Sequence, residues 1–151
     1  MIFADSMTLG AARAQLRELV DDGHECPCCR QFAKVYRRRI HAGMARDLIR
    51  FDRAAGDDWA HLPTAVPVRG GDFCKLRYWG LVEEEIARRE DGGRAGFWRM
   101  TEAGALFVRE RVRVPSHVRL YDGRKLGLDG DLVSIRDCLP NPFDYDELMT
   151  A

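Results

Sequence analysis

The sequence predicts an α+β fold, with helices in its N-terminal third, a helix–hairpin–helix stretch in the middle and a second hairpin towards the C-terminus. Three observations predict it. Apolar residues recur at helical spacing through 8–22 and 42–54. Residues 72–110 alternate cap, apolar and turn signals in the order helix, strand, turn, strand, helix. Asp122-Gly123 separates two short runs and marks a two-residue hairpin turn.

Residues 8–22 place Leu9, Ala12, Leu16, Leu19 and Val20 on one face of an amphipathic helix that Gly23 ends. Residues 31–40 read as a second helix, with Phe32, Val35, Tyr36 and Ile40 at helical spacing. A third helix covers 42–54 and turns Met44, Leu48, Ile49 and Phe51 inward, with His41-Ala42-Gly43 at the junction. Residues 59–62 form a short strand suited to joining the central hairpin as its third member. Pro63 and Pro67 break the following stretch, so no separate helix is read there, and 66–71 is a loop.

In the central stretch Asp72 is a good N-cap for a helix over 73–79, because its carboxylate can accept from free amides of the first turn. Phe73, Leu76 and Trp79 would point inward, and Gly80 stops the helix. Leu81, Val82 and Ile86 give a strand, although Glu83, Glu84 and Glu85 spoil its alternation. Asp91-Gly92-Gly93 turns the chain, Gly96 to Met100 returns as a second strand, and Thr101 caps the next helix, with Gly104 tolerated inside it. A helix followed by a basic-tipped hairpin and another helix is the core of a winged helix-turn-helix, an architecture most often used to hold DNA. The expected organisation is an N-terminal helix (1–25), a winged-helix core (26–114) and a hairpin with an acidic C-terminal extension (115–151).

Leu76, Gly80-Leu81-Val82, Arg94 and Met100-Thr101-Glu102-Ala103-Gly104 resemble the recognition helix, wing and following helix of MarR-like winged-helix regulators. The resemblance covers about 40 residues. The whole chain, with its CPCC segment and PFDYDEL tail, looks like small winged-helix proteins of phages and prophages. This implies a DNA-binding phage-type transcriptional regulator or replication accessory factor. The same elements also occur in winged helices that engage only proteins, so a host or phage protein is the alternative partner.

At 151 residues the chain is long enough to bury a core. It shows no signal-peptide pattern and no run of 18 apolar residues, which predicts a cytoplasmic protein without membrane contact, in the host cytoplasm if phage-encoded. Five cysteines, an odd number, argue against a disulfide framework. Lysine and arginine balance aspartate and glutamate at 24 each, but unevenly. Residues 1–25 hold two basic and five acidic side chains, 26–114 eighteen and twelve, and 115–151 four and seven. Phosphate binding depends on local potential, so the central excess favours nucleic acid. Scattered arginines solvating a surface would give the same count.

Lys75, Arg77 and Tyr78 on the recognition segment, Arg88, Arg89 and Arg94 at the wing, and Arg99 on its returning strand are the expected DNA contacts. Arginine can read guanine as a bidentate pair, and wing residues commonly reach phosphates or minor-groove walls. On a helix over 31–40, Lys34 and Arg38 would form a basic stripe along the DNA backbone, or a solvated face. Glu83 to Glu85, Glu90 and Asp91 must then point away from DNA. Cys26 and Cys29 have the C-x-x-C spacing of a zinc half-site, which makes a structural zinc ion a candidate cofactor. Cys28, His24, His41, Cys74 and Cys138 are the other available ligands, none at a diagnostic spacing. The plainer reading is a tight turn whose cysteines pack into the core.

Beyond 112, Pro115 ends the preceding segment, 118–121 and 124–128 form the hairpin, and Ser134 caps a short helix reaching Cys138. Pro140-Asn141-Pro142 then breaks the chain before an acidic, aromatic tail expected to pack Phe143 and Leu148 onto the domain, with a partner protein or a basic groove as its alternative contacts. No phosphate-binding glycine loop, H-E-x-x-H or nucleophile-elbow serine is present, so a nonenzymatic role is expected. A homodimer, with residues 8–22 as its contact, suits a regulator.

Overall fold

The computed structural model describes residues 5–65, 71–85 and 96–150. Its elements are helices and small antiparallel sheets, a mixed α+β fold. The chain gathers into two compact units, one of 1–38 with 119–127 and the other of 39–118 with 128–151.

The first unit opens with helix α1 (Leu9–Leu19), capped by Thr8 Oγ1 accepting from the Ala11 N–H at 3.1 Å. Of the predicted inner face only Ala12 is buried, and Leu9 is exposed. Strands β1 (His24–Glu25) and β2 (Phe32–Ala33) then pair antiparallel, with His24 opposite Ala33 and Glu25 opposite Phe32. The expected helix over 31–40 is replaced by β2 and a further strand, β3 (Tyr36–Arg39). Phe32 and Tyr36 stand four residues apart, which fits both a helix and a strand, and the neighbours decide. Ala33 and Val35 are buried while Phe32 and Tyr36 are exposed, a two-residue alternation. Val35 also donates its N–H to Val20 O at 2.8 Å, a bond that a helix would have spent within itself.

The second unit is built on helix α2 (Ala42–Ala55), whose buried face holds Met44, Ala45, Leu48, Ile49 and Phe51. His41, at the junction, caps it by accepting from the Met44 N–H. Strand β4 (Ala60–His61) follows, then α3 (Leu62–Ala65), a single turn where the prolines had suggested none. Residues 72–79 form a 3-10 helix, Asp72–Trp79, closed by Gly80 in the left-handed conformation at φ +71°. With three residues per turn, Phe73, Leu76 and Trp79 align on one edge, and all three are buried. Phe73 packs against Phe51 at 5.2 Å and edge-on to Trp98 at 6.3 Å between ring centres.

Strands β5 (Val82–Glu84) and β6 (Phe97–Met100) complete a three-stranded antiparallel sheet of order β4-β6-β5. β4 joins β6 as expected, with Ala60 opposite Trp98. Thr101 caps helix α4 (Glu102–Val108) by accepting from Gly104 N–H at 3.0 Å. Gly104 is required rather than tolerated: a Cβ there would lie 2.0 Å from the Leu81 carbonyl oxygen.

Strands β7 (Val114–Tyr121) and β8 (Arg124–Val133) form a hairpin longer than expected, within a sheet of order β3-β7-β8. Asp122 and Gly123 both have positive φ, as the two-residue turn demands. Pro115 lies inside β7 instead of ending the segment before it, and its carbonyl accepts from Trp79 Nε1 at 2.7 Å. Ser134 and Asp137 exchange side-chain-to-backbone bonds and start the 3-10 turn Arg136–Cys138. The tail forms α5 (Tyr145–Thr150), with Phe143 and Leu148 half-buried and Tyr145 donating to Val108 O at 2.7 Å.

Candidate nucleic-acid interface

The 3-10 helix Asp72–Trp79 sorts its polar side chains by threes. Asp72, Lys75 and Tyr78 follow one edge, and Cys74 and Arg77 another. Asp72 does not cap the helix, and Gly71 stands at the cap position with no side-chain bond. The Asp72 carboxylate instead accepts from Lys75 Nζ at 2.7 Å and meets His41 Nε2 at 2.8 Å. The Lys75 hydrogen bond, and after it the His41 one, pull the Asp72 carboxyl down to about 2.

Arg77 turns the other way. Its guanidinium lies 5.1 Å from the Tyr78 ring centre and 3.8 Å from the Glu84 carboxylate on β5. Arg99 faces Glu83, its direct cross-strand partner, donating through Nε at 2.7 Å, and stacks 4.5 Å from the Trp59 ring centre. Two of the troublesome glutamates are therefore accounted for, since Glu83 and Glu84 are turned onto the arginines beside them. Lys75, Arg77, Tyr78 and Arg99 all belong to the second unit. Arg88, Arg89 and Arg94, with Glu90 and Asp91, lie outside the described residues.

Lys34 and Arg38 belong to the first unit. They do not form a helical stripe, because 32–33 and 36–39 are strands with Lys34 and Val35 between them, yet they meet at one side chain. Both lean on Tyr36, Lys34 Nζ at 5.4 Å and the Arg38 guanidinium at 5.2 Å from its ring centre. The exposure of Phe32 and Tyr36 was missed from sequence. The signal that could have found it is the alternation of Phe32, Lys34, Tyr36 and Arg38 with Ala33, Val35 and Arg37.

Cys26 to Arg30 makes the turn between β1 and β2. The Arg30 N–H donates to Cys26 O at 2.9 Å, the Cys26 N–H donates to Gln31 O at 2.7 Å, and Arg30 takes φ +63°. Backbone N–H groups of Cys29 and Cys28 donate to the Cys26 sulfur and hold its thiol below the ordinary value. The tight turn is as expected, but Cys28 and Cys29 are exposed rather than packed in the core. Among the described residues no three histidine, cysteine, aspartate or glutamate side chains gather as a metal site. Cys138 is buried elsewhere, where desolvation pushes its thiol up to about 11.

A groove of about 760 Å³ in the second unit is lined by Asp52, Glu83, Arg99, Glu102 and Arg109 among others. Its buried carboxylate, Asp52, accepts from Arg109 at 3.3 and 3.4 Å, an arrangement that ties α4 to α2. Among the described residues no helix is long and apolar enough to cross a membrane. No family model, curated protein or solved structure matches the chain, so its function rests on these residues.

Proposed function

We propose that the second unit is a winged helix-turn-helix that binds double-stranded DNA without catalysing a reaction, as a phage-type transcriptional regulator or replication accessory factor. The observation that carries this reading is the element order α2, β4, α3, 3-10 helix, β5, β6, with the sheet ordered β4-β6-β5. In that arrangement the 3-10 helix takes the recognition position, and the connection from β5 to β6 is the wing. Lys75, Arg77, Tyr78 and Arg99 contact the duplex together with wing residues Arg88, Arg89 and Arg94.

The paired state of these cations is compatible with binding. Exposed ion pairs contribute about 0–1 kcal/mol, so a phosphate can displace Glu83 or Glu84 at little cost. The test is fluorescence anisotropy with a mixed-sequence duplex at low and near-physiological salt. Wild type binds and weakens with salt, and Lys75→Ala/Arg77→Ala lowers the slope of log K against log salt by about 2. An unchanged slope overturns the assignment of these residues.

The same ion pairs favour one second reading. If Arg77 and Arg99 stay with their glutamates, the face is charge-balanced and suits a host or phage protein; a duplex that fails to bind even at low salt selects it. A DNA-binding role places the chain in the cytoplasm, the host's if it is phage-encoded. We also propose, as a separate and weaker reading, that the C-x-x-C spacing of Cys26 and Cys29 gives half of a structural zinc site, although among the described residues no further ligands gather beside it. Purified protein with well under one equivalent of zinc per chain ends that idea.

A further inference from the structure

The first unit carries a surface outside the proposed duplex face, and Lys34 and Arg38 on it are distinct from the contacts in the second unit. Residues 30–39 (RQFAKVYRRR) contain five basic side chains and no acidic one. Ala33 and Val35 face inward and are buried, which turns Phe32 and Tyr36 outward, 68% and 45% exposed. Exposed aromatic rings this large are unusual on a strand with so much charge, because burial of each would be favourable. Phe32 is held in place by its neighbour: the ring tip lies over Gly23, where a Cβ would come within 2.4 Å of it. Tyr36 is held by Lys34 and Arg38 against its ring. Both rings thus stand in the open, with Lys34 between them in sequence and Arg38 beyond Tyr36.

We propose that Phe32, Lys34, Tyr36 and Arg38 form a stacking platform for an unpaired nucleic-acid strand. Bases stack on the two rings, and phosphates meet Lys34 and Arg38. The four residue steps from Phe32 to Tyr36 span up to about 13 Å of chain, enough for each ring to take a separate base. Charge complementarity selects a polyanion. The rings select an unpaired one, since a duplex hides its base faces in the stack. Stacking tolerates any base, so the surface reads strandedness rather than sequence. This platform stands independently of the duplex face, because its residues and its probe are different.

The experiment uses the full chain and a fluorescein-labelled oligothymidylate, with an oligouridylate as the second arm and an unlabelled duplex of equal length as competitor. Wild type binds the single strands, and Phe32→Leu and Tyr36→Leu each weaken affinity about tenfold while far-UV circular dichroism and melting temperature hold. Tyr36→Trp restores or exceeds wild-type affinity, a result that charge alone does not give. Three outcomes overturn the proposal: no binding at low salt, leucine variants that bind as wild type does, or a duplex that competes as well as the single strand. If both leucine variants lose their fold, Tyr36→Trp binding no better than a Tyr36→Ser chain that still folds overturns it equally.

Discussion

The two basic regions of this molecule hold their cations in different ways. In the second unit Lys75 lies on Asp72, Arg77 on Glu84 and Arg99 on Glu83. In the first, Lys34 and Arg38 lie on the ring of Tyr36. A carboxylate cancels a cation's charge, whereas an aromatic face holds the cation and leaves its charge in place. The first arrangement keeps an interface neutral until a stronger anion displaces the glutamate, and the second presents a standing positive potential. On the two readings proposed above, the duplex face would be latent and the single-strand face standing open, in a chain with zero net charge overall.

The contrast can be broken at the scaffold or sharpened at the ion pairs. The largest effect is expected from Gly104→Ala, which forces a methyl group into the Leu81 carbonyl oxygen and costs about 3 kcal/mol or more in chemical denaturation. Gly123→Ala, at the hairpin tip in the first unit, meets nothing within 4 Å and suffers only from its positive φ, for a cost of about 1 kcal/mol. Equal losses would show that α4 does not pack as described. A smaller effect follows from Glu83→Gln, which releases Arg99: duplex affinity should rise about two- to fivefold at low salt, the equivalent of one exposed ion pair. A loss of affinity would mean that Glu83 positions Arg99 for DNA rather than holding it back.

The smallest effect concerns pH. The Asp72 carboxyl is depressed to about 2 from an ordinary 3.8, so its ionised form is favoured in the fold. Its contribution is present above about pH 4 and is lost as pH falls through about 2. Asp72→Asn should melt slightly lower at neutral pH, by less than about 1 kcal/mol because the group is half exposed, and should flatten that acid loss. Melting curves that run parallel from pH 5 to pH 2 would remove the Asp72–Lys75–His41 cluster from the account.

Much of the second unit was legible because its signals are local. Thr101 and Gly80 mark helix ends, Met44, Leu48, Ile49 and Phe51 keep a helical face, and Asp122-Gly123 names its turn. Failures came where one spacing serves two structures. Phe32 and Tyr36 satisfy a helix and a strand alike, and only tertiary burial of Ala33 and Val35 decides. Asp72 is a fair cap in isolation, but His41, thirty-one residues away, claims its carboxylate. The strict threes of Phe73, Leu76 and Trp79 did hold the 3-10 geometry in plain view. Gly104 shows the converse: the close approach of Leu81 that makes it necessary has no trace in its own neighbourhood of sequence.

The location of the duplex face is tested most directly by hydrogen exchange of the full chain with and without saturating mixed-sequence duplex at low salt. Slower exchange in peptides covering 72–85 and 96–101 is the expected result. Unchanged exchange across both peptides would contradict the assignment of this face to DNA.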